Sequence, residues 1–163
     1  MAQAEGGDPP AAGPAIEEWA MGGGSILRLL VDAERSEGSV TVIEGFVQEG
    51  GPPLHVHDAE DEVVVVLEGE LAYRIGDERG SAGEGGLLWL SRGIPHTLAN
   101  LSGRPCRFLT LATPRGIEEL FRAQSEYIAS LPAGTAPALD EMERLPGAAS
   151  RRAVGPPLAF EEP

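Results

Sequence analysis

HVHDAEDE, running from His55 to Glu62, is the stretch whose reading decides the fold. Two imidazoles flank one valine, and four of the five residues that follow are acids. In a strand, residues i and i+2 share a face, with Cα atoms about 6.5–7 Å apart. His55 and His57 therefore aim at one point while Val56 faces away. Glu62 has the wrong parity to continue that strand unbroken. Asp58, Ala59, Glu60 and Asp61 have turn composition, so the chain is expected to turn there, with Glu60 and Asp61 facing water. If EVVVVL (62–67) runs back beside LHVH (54–57), Glu62 opens the return strand with its carboxylate near both imidazoles. Val64 and Val66 then share its inward face.

Working outward, short aliphatic runs repeat between Gly-, Pro- or acid-bearing turns. SILRLLV (25–31) and SVTVIEGFV (39–47) precede the histidines; LAYRI (71–75), LLWL (87–90), HTLANL (96–101) and CRFLTLA (106–112) follow them. About eight strands at this spacing predict a sandwich or barrel. EVVVVL is apolar on both faces, so its outer side needs cover from the chain itself or from a second copy. A homodimer is one expected outcome. Past Pro114, GIEELFRAQSEYIASL spaces Ile117, Leu120, Phe121, Ile128 and Leu131 as an amphipathic helix, with Glu118 and Glu119 in its first turn. Its stripe is expected to pack on the barrel. Three segments result: a disordered lead over 1–22, most biased in Met1–Pro14; a barrel plus helix over 23–131; and an extended tail over 132–163, with ALDEMERL (138–145) as a possible short helix.

Composition narrows the function. The 163 residues suit one domain with a real core. A net charge of −14 opposes nucleic acid and anionic membrane surfaces. The single cysteine, Cys106, excludes an internal disulfide framework and reads as a small buried hydrophobe. With no apolar run of membrane-spanning length and no basic-then-apolar leader, the expected location is the cytoplasm.

The chain has one further histidine, His96, in GGLLWLSRGIPHTLAN. It too follows a strand and a Gly/Pro turn and starts a new strand. Each histidine taken singly is an ordinary polar residue. All three at two such strand starts, with an acid near the first pair, form an N3O ligand set. These segments resemble the two motifs of the cupin superfamily. The first reads Gly50, GPPL, His55-Val56-His57, DAED, Glu62, VVVVLE, Gly69; the second reads Gly85, GLLWL, Ser91-Arg92-Gly93, IP, His96, TLA, Asn100. The spacer before His55 is one residue short, and Ser91 stands where proline is common. The resemblance covers roughly Ile26 to Ala112. It implies an all-β cupin double-stranded β-helix, a jelly-roll barrel with a metal inside its mouth, here with a C-terminal amphipathic helix.

Within that superfamily the chain looks most like single-domain quercetin-dioxygenase-like proteins. The metal ligands expected are His55, His57, Glu62 and His96. They suit one divalent transition metal (Fe, Mn, Ni, Co, Cu or Zn) better than Ca or Mg. By the same resemblance Glu62 doubles as the catalytic base. Val64, Val66, Tyr73 and Leu98, with Leu71 and Ile75, are expected to line an apolar substrate pocket. Trp89 is cavity wall or interface packing, and Arg92 and Arg107 are surface charges. The expected activity is an oxygenase acting on an apolar hydroxylated or aromatic small molecule. The alternatives are a non-redox isomerase, cyclase or lyase, and a cupin that binds a small ligand without turnover.

Overall fold

A computed structural model describes residues 14–114 and 116–159; most of the Gly/Pro-rich lead, residues 1–13, lies outside them. Eleven strands form two antiparallel sheets. The first sheet orders β1 (Glu17–Gly22), β2 (Ser25–Val31), β3 (Thr41–Val47), β10 (Cys106–Thr113), β5 (Asp61–Glu68) and β8 (Leu87–Leu90) as β1-β2-β3-β10-β5-β8. The second orders β11 (Arg151–Pro157), β4 (Pro53–His57), β9 (His96–Ala99), β6 (Glu70–Ile75) and β7 (Glu78–Gly83) as β11-β4-β9-β6-β7. Their inner faces pack as a jelly-roll barrel, so the all-β expectation holds.

Period-2 patterning builds the interior. Glu62, Val64 and Val66 on β5 are buried, whereas Val63, Val65 and Leu67 are only half-buried on the outer side. Val64, Val66, Leu71, Leu88, Leu90 and Cys106 form one core cluster, with Tyr73, Ile75, Leu98 and Phe108 packed against it. A second cluster joins Trp19, Leu27, Leu29, Ile43 and Ala112 to Ile117 of helix α1 (Ile117–Ser130). That helix lies on β1, where the Trp19 and Phe121 rings sit 6.1 Å apart. Gly45 is fixed by this packing, because any Cβ there would run into the Phe108 ring of the neighbouring strand. Among the described residues no helix is long and apolar enough to cross a membrane.

Three strands lie where none was expected. EEWAMG falls in the lead expected to be disordered, yet it pairs with β2 and buries Trp19; one tryptophan anchors a segment whose composition points to coil. ERGSAG, whose first residues read as a turn, pairs residue for residue with β6, and Tyr73 lies opposite Gly80. RRAVGPP, assigned to the tail, is β11 and covers the free edge of β4. The short helix expected in the tail is present as α2 (Leu139–Met142).

The outer face of the first sheet is of mixed character. Glu18, Arg28, Glu44, Arg107 and Glu68 form a run of ion pairs across the sheet. Beside it Leu87 and Trp89 on β8 are 62% and 53% exposed.

Candidate metal centre

His55 and His57 share a face of β4, and His96 is their neighbour on β9, with its Cα paired to that of His55. The three ring centroids form a near-equilateral triangle, with sides of 4.9 Å (His55–His57), 4.7 Å (His55–His96) and 4.9 Å (His57–His96). One nitrogen from each lies within 4.8 Å of the others. Two of the rings are set by the same local device. His55 Nδ1 lies 2.7 Å from Pro53 O, and His96 Nδ1 lies 2.9 Å from Ile94 O. A carbonyl accepts only from a protonated nitrogen, so both rings are Nδ1–H tautomers with the Nε2 lone pair free.

Glu62 reaches the triangle by a route other than the expected hairpin. β5 does not pair with β4; it lies between β10 and β8 in the opposite sheet. The residues after His57 carry the chain from one wall to the other. Glu62 therefore faces the imidazoles across the interior, its Oε1 3.5 Å from His57 Nδ1 and its Oε2 4.0 Å from His96 Nε2. Strand parity placed Glu62 near the imidazoles, and it does face them, although the pairing it assumed is absent. A jelly roll sends successive strands to alternate sheets, and a local pattern does not report that.

Glu60 is a second correction. It is buried rather than facing water, and Arg151 Nη2 donates to its Oε1 at 3.0 Å. Ser150 Oγ lies 3.3 Å from its Oε2. Asp61 opens β5 and accepts from the backbone and side chain of Arg92, which is a surface charge as expected. Arg107 pairs with Glu44 and Glu68.

Burial governs the electrostatics. It pushes the pKa of His55 down to about 4 and that of His57 to about 2, aided by neighbouring positive charge, and it lowers that of His96. It pushes Glu62 up to about 7, against the pull of Arg151. Neutral imidazoles are ligands, and protonated ones are not. His57 Nδ1, His96 Nε2 and Glu62 Oε1 are all buried without a hydrogen-bond partner. Buried polar atoms are normally satisfied, so three orphans converging on one point fit a bound cation. The donor set, nitrogen with one carboxylate, suits a divalent transition ion.

The expected pocket residues separate into two groups. Val64, Val66 and Leu98 do lie in the interior, as part of a packed core. Tyr73 packs its ring there, but its hydroxyl donates to Glu78 at 2.9 Å at the exposed rim, away from the histidines. Trp89 points outward from β8 and donates to Ser91 Oγ, so it is not cavity wall. Two surface cavities, of about 200 and 470 Å3, touch none of the histidines; one lies behind the second sheet at Leu54, Thr97 and Pro156, the other between Met21 and Pro132. His55 alone of the three histidines keeps partial exposure, while His57 and His96 are 2% and 1% exposed.

Gly51, which follows the motif glycine Gly50, and the motif asparagine Asn100 hold the scaffold. A Cβ on Gly51 would overlap Leu98 O on β9. Asn100 Nδ2 donates to Val47 O, Gln48 O and Arg104 O, and its backbone bridges Gly50. Sequence reasoning missed Arg151, whose side chain is 6% exposed beside this cluster. Its only signal was the weak alternation of RRAV, which is uninterpretable without knowing that the segment pairs with β4.

A jelly-roll barrel with a histidine triangle and an opposing acid has the double-stranded β-helix architecture of the cupin fold, with a candidate metal site. Residues 42–112 match the family model described as a cupin domain, and this match and the fold together support a place in the cupin superfamily. Among solved structures, KdgF from Halomonas sp. is similar at 16% identity and TM-score 0.53, covering 61% of this chain and 86% of that one. An RmlC-like cupin from Shewanella frigidimarina is similar at 17% identity and TM-score 0.51, covering 60% and 83%. An uncharacterized conserved protein with a double-stranded β-helix domain, from Klebsiella pneumoniae, gives 20% identity and TM-score 0.50, covering 58% and 80%. At these identities the likeness is one of fold. No curated protein matches the sequence.

Proposed function

We propose that the protein is a metal-dependent enzyme of the oxygenase type, acting on a hydroxylated, largely apolar small molecule. The observation that carries this reading is the convergence of three neutral imidazoles and one acid of raised pKa on a single buried point. His55, His57 and His96 would hold the ion, with Glu62 as fourth donor. When bound, such an ion supplies Lewis acidity and, if redox-active, a template for dioxygen.

The chain's own residues supply the rest. Glu62 faces His57 and His96 across the interior, and when it is not ligating, its carboxylate can take a proton from a substrate hydroxyl. Val64, Val66 and Leu98 keep bulk water from that proton. The same acid–base capacity favours a second reading, a non-redox isomerase, cyclase or lyase using the same ligands.

Metal analysis of protein purified without added metal, followed by oxygen uptake on a flavonol and catechol panel with Fe, Mn, Ni and Co forms, tests both. Uptake supports the oxygenase. Loaded protein without uptake on any member of the panel moves the assignment to Lewis-acid chemistry. Failure to take up any of these metals removes both readings. The exposed Leu87 and Trp89 further support the proposal of a homodimer through the outer face of the first sheet.

A further inference from the structure

β11 brings a cation to the histidine wall. In the β4–β11 ladder Arg151 stands opposite His57, and Ala153 stands opposite His55. Directly opposed residues of an antiparallel pair project to one face, with Cβ atoms about 4.5–5.5 Å apart. Arg151 therefore shares the inward face with both imidazoles. Ala153 places only a methyl group in front of His55, the one histidine that keeps partial exposure.

The far end of the guanidinium is already committed. Nη2 donates to Glu60 Oε1 at 3.0 Å, and Nη1 donates to Gly147 O at 3.1 Å. Glu60 and Arg151 are each 6% exposed, so the fork is held in place and neutralised. Nε–H, in contrast, is buried and has no acceptor. Among the described residues it is one of four such side-chain atoms, the others being His57 Nδ1, Glu62 Oε1 and His96 Nε2. A cation satisfies neutral imidazoles and a carboxylate together. It does nothing for an N–H donor, which needs an oxygen.

We propose that Arg151 selects the ligand: the site takes small oxygen donors that carry a second anionic oxygen, such as a carboxylate beside a hydroxyl, keto or second carboxylate group, and that oxygen accepts the Arg151 Nε–H. The proposal rests on the metal reading above and revises its substrate class, requiring an anionic oxygen at Arg151 beside the metal-bound donor in place of a largely apolar molecule. A guanidinium fixed in advance by Glu60 and Gly147 loses little freedom on binding, and a charge-assisted bond in a buried site discriminates strongly.

The test uses Co(II)-loaded protein, whose visible absorption reports ligand binding. It is titrated with oxalate, which has anionic oxygens to spare, and with maltol, a singly charged chelator. In the wild type, oxalate should gain about tenfold over maltol relative to their affinities for free Co(II). Arg151→Met should weaken oxalate about 20-fold and maltol less than about threefold. The double variant Glu60→Gln/Arg151→Met removes both buried charges, avoids stranding Glu60, and should show the same oxalate-specific loss. No oxalate gain in the wild type, or equal losses for the two ligands in a folded variant, would overturn the proposal. A wild type that binds no Co(II) would overturn the metal reading, and this inference with it.

Discussion

The two walls of the barrel contribute differently to the site. The second sheet supplies all three histidines and Arg151, from adjacent strands whose registers fix the side chains relative to one another. The first sheet supplies one acid, Glu62, at the end of a row that continues as Val64 and Val66. Rings set by strand pairing and by carbonyls two residues upstream cannot drift independently. The acid is placed only by the packing of sheet on sheet. The difference separates a rigid ligand platform from a group that faces it across a gap and is free to exchange a proton.

Breaking the platform should have the largest effect. His57→Ala removes one corner of the triangle and should lower divalent-metal affinity by about 1,000-fold, read by competition with a chelating dye. Intact affinity would show that the three rings do not act together. Glu60→Gln leaves Arg151 buried without its counter-charge and should cost about 3 kcal/mol of stability, measured by urea unfolding. Metal affinity in that variant should fall less than about tenfold; a larger fall would make Glu60 part of the ligand set.

Glu62→Gln tests the opposite wall, with effects of opposite sign in the loaded and metal-free forms. Metal affinity should drop about 10- to 100-fold. In metal-free protein the folded-state pKa of Glu62 is raised to about 7, so its protonated form stabilises below the ordinary carboxylate range and this contribution is lost as pH rises through 7. Gln has no charge to bury, so at pH 8 the metal-free variant should melt about 5 °C above the wild type. The histidines run the other way. Their folded pKa values are depressed, to about 4 for His55 and about 2 for His57. The unfolded chain therefore takes up protons first, and metal-free stability falls as pH drops below the ordinary imidazole value near 6.5. With three imidazoles opposing one carboxyl, thermal melts of the metal-free protein should weaken from pH 6.5 toward pH 4. A flat profile would mean the imidazoles are hydrated.

The smallest effect belongs outside the barrel. Trp89→Ser should change the stability of a single copy by less than about 1 kcal/mol, while light scattering should show a dimer that dissociates more readily. An unchanged mass, or a wild type that is monomeric throughout, would remove the homodimer proposal.

Much of the site was legible because it depends on parity. His55 and His57 lie two apart on β4 and His96 opens β9, and the faces they use follow from alternation. Glu62 was legible for the same reason, even with the wrong strand partner assumed. What escaped depends on long-range pairing. Glu60 sits among acids and carries no local mark of burial; only Arg151, ninety-one residues later, makes its burial tolerable. Arg151 itself lies between a Pro-Gly turn and a Gly-Pro-Pro sequence, which reads as coil until β4 supplies an edge to pair with. Trp89 was ambiguous because LLWL is apolar on both faces, and alternation cannot choose between two apolar faces.

β11 carries a consequence for the handling of the chain. Among the described residues it is the only strand paired with the open edge of β4, the strand bearing two of the three imidazoles. Cutting the chain before Arg151 would expose a row of unpaired backbone N–H and C=O groups there, a template for pairing with other chains. The same cut would strip the counter-charge from Glu60. Solubility and metal content should therefore fail together, and a cleavable tag placed at the C-terminus should be spaced well beyond Pro157.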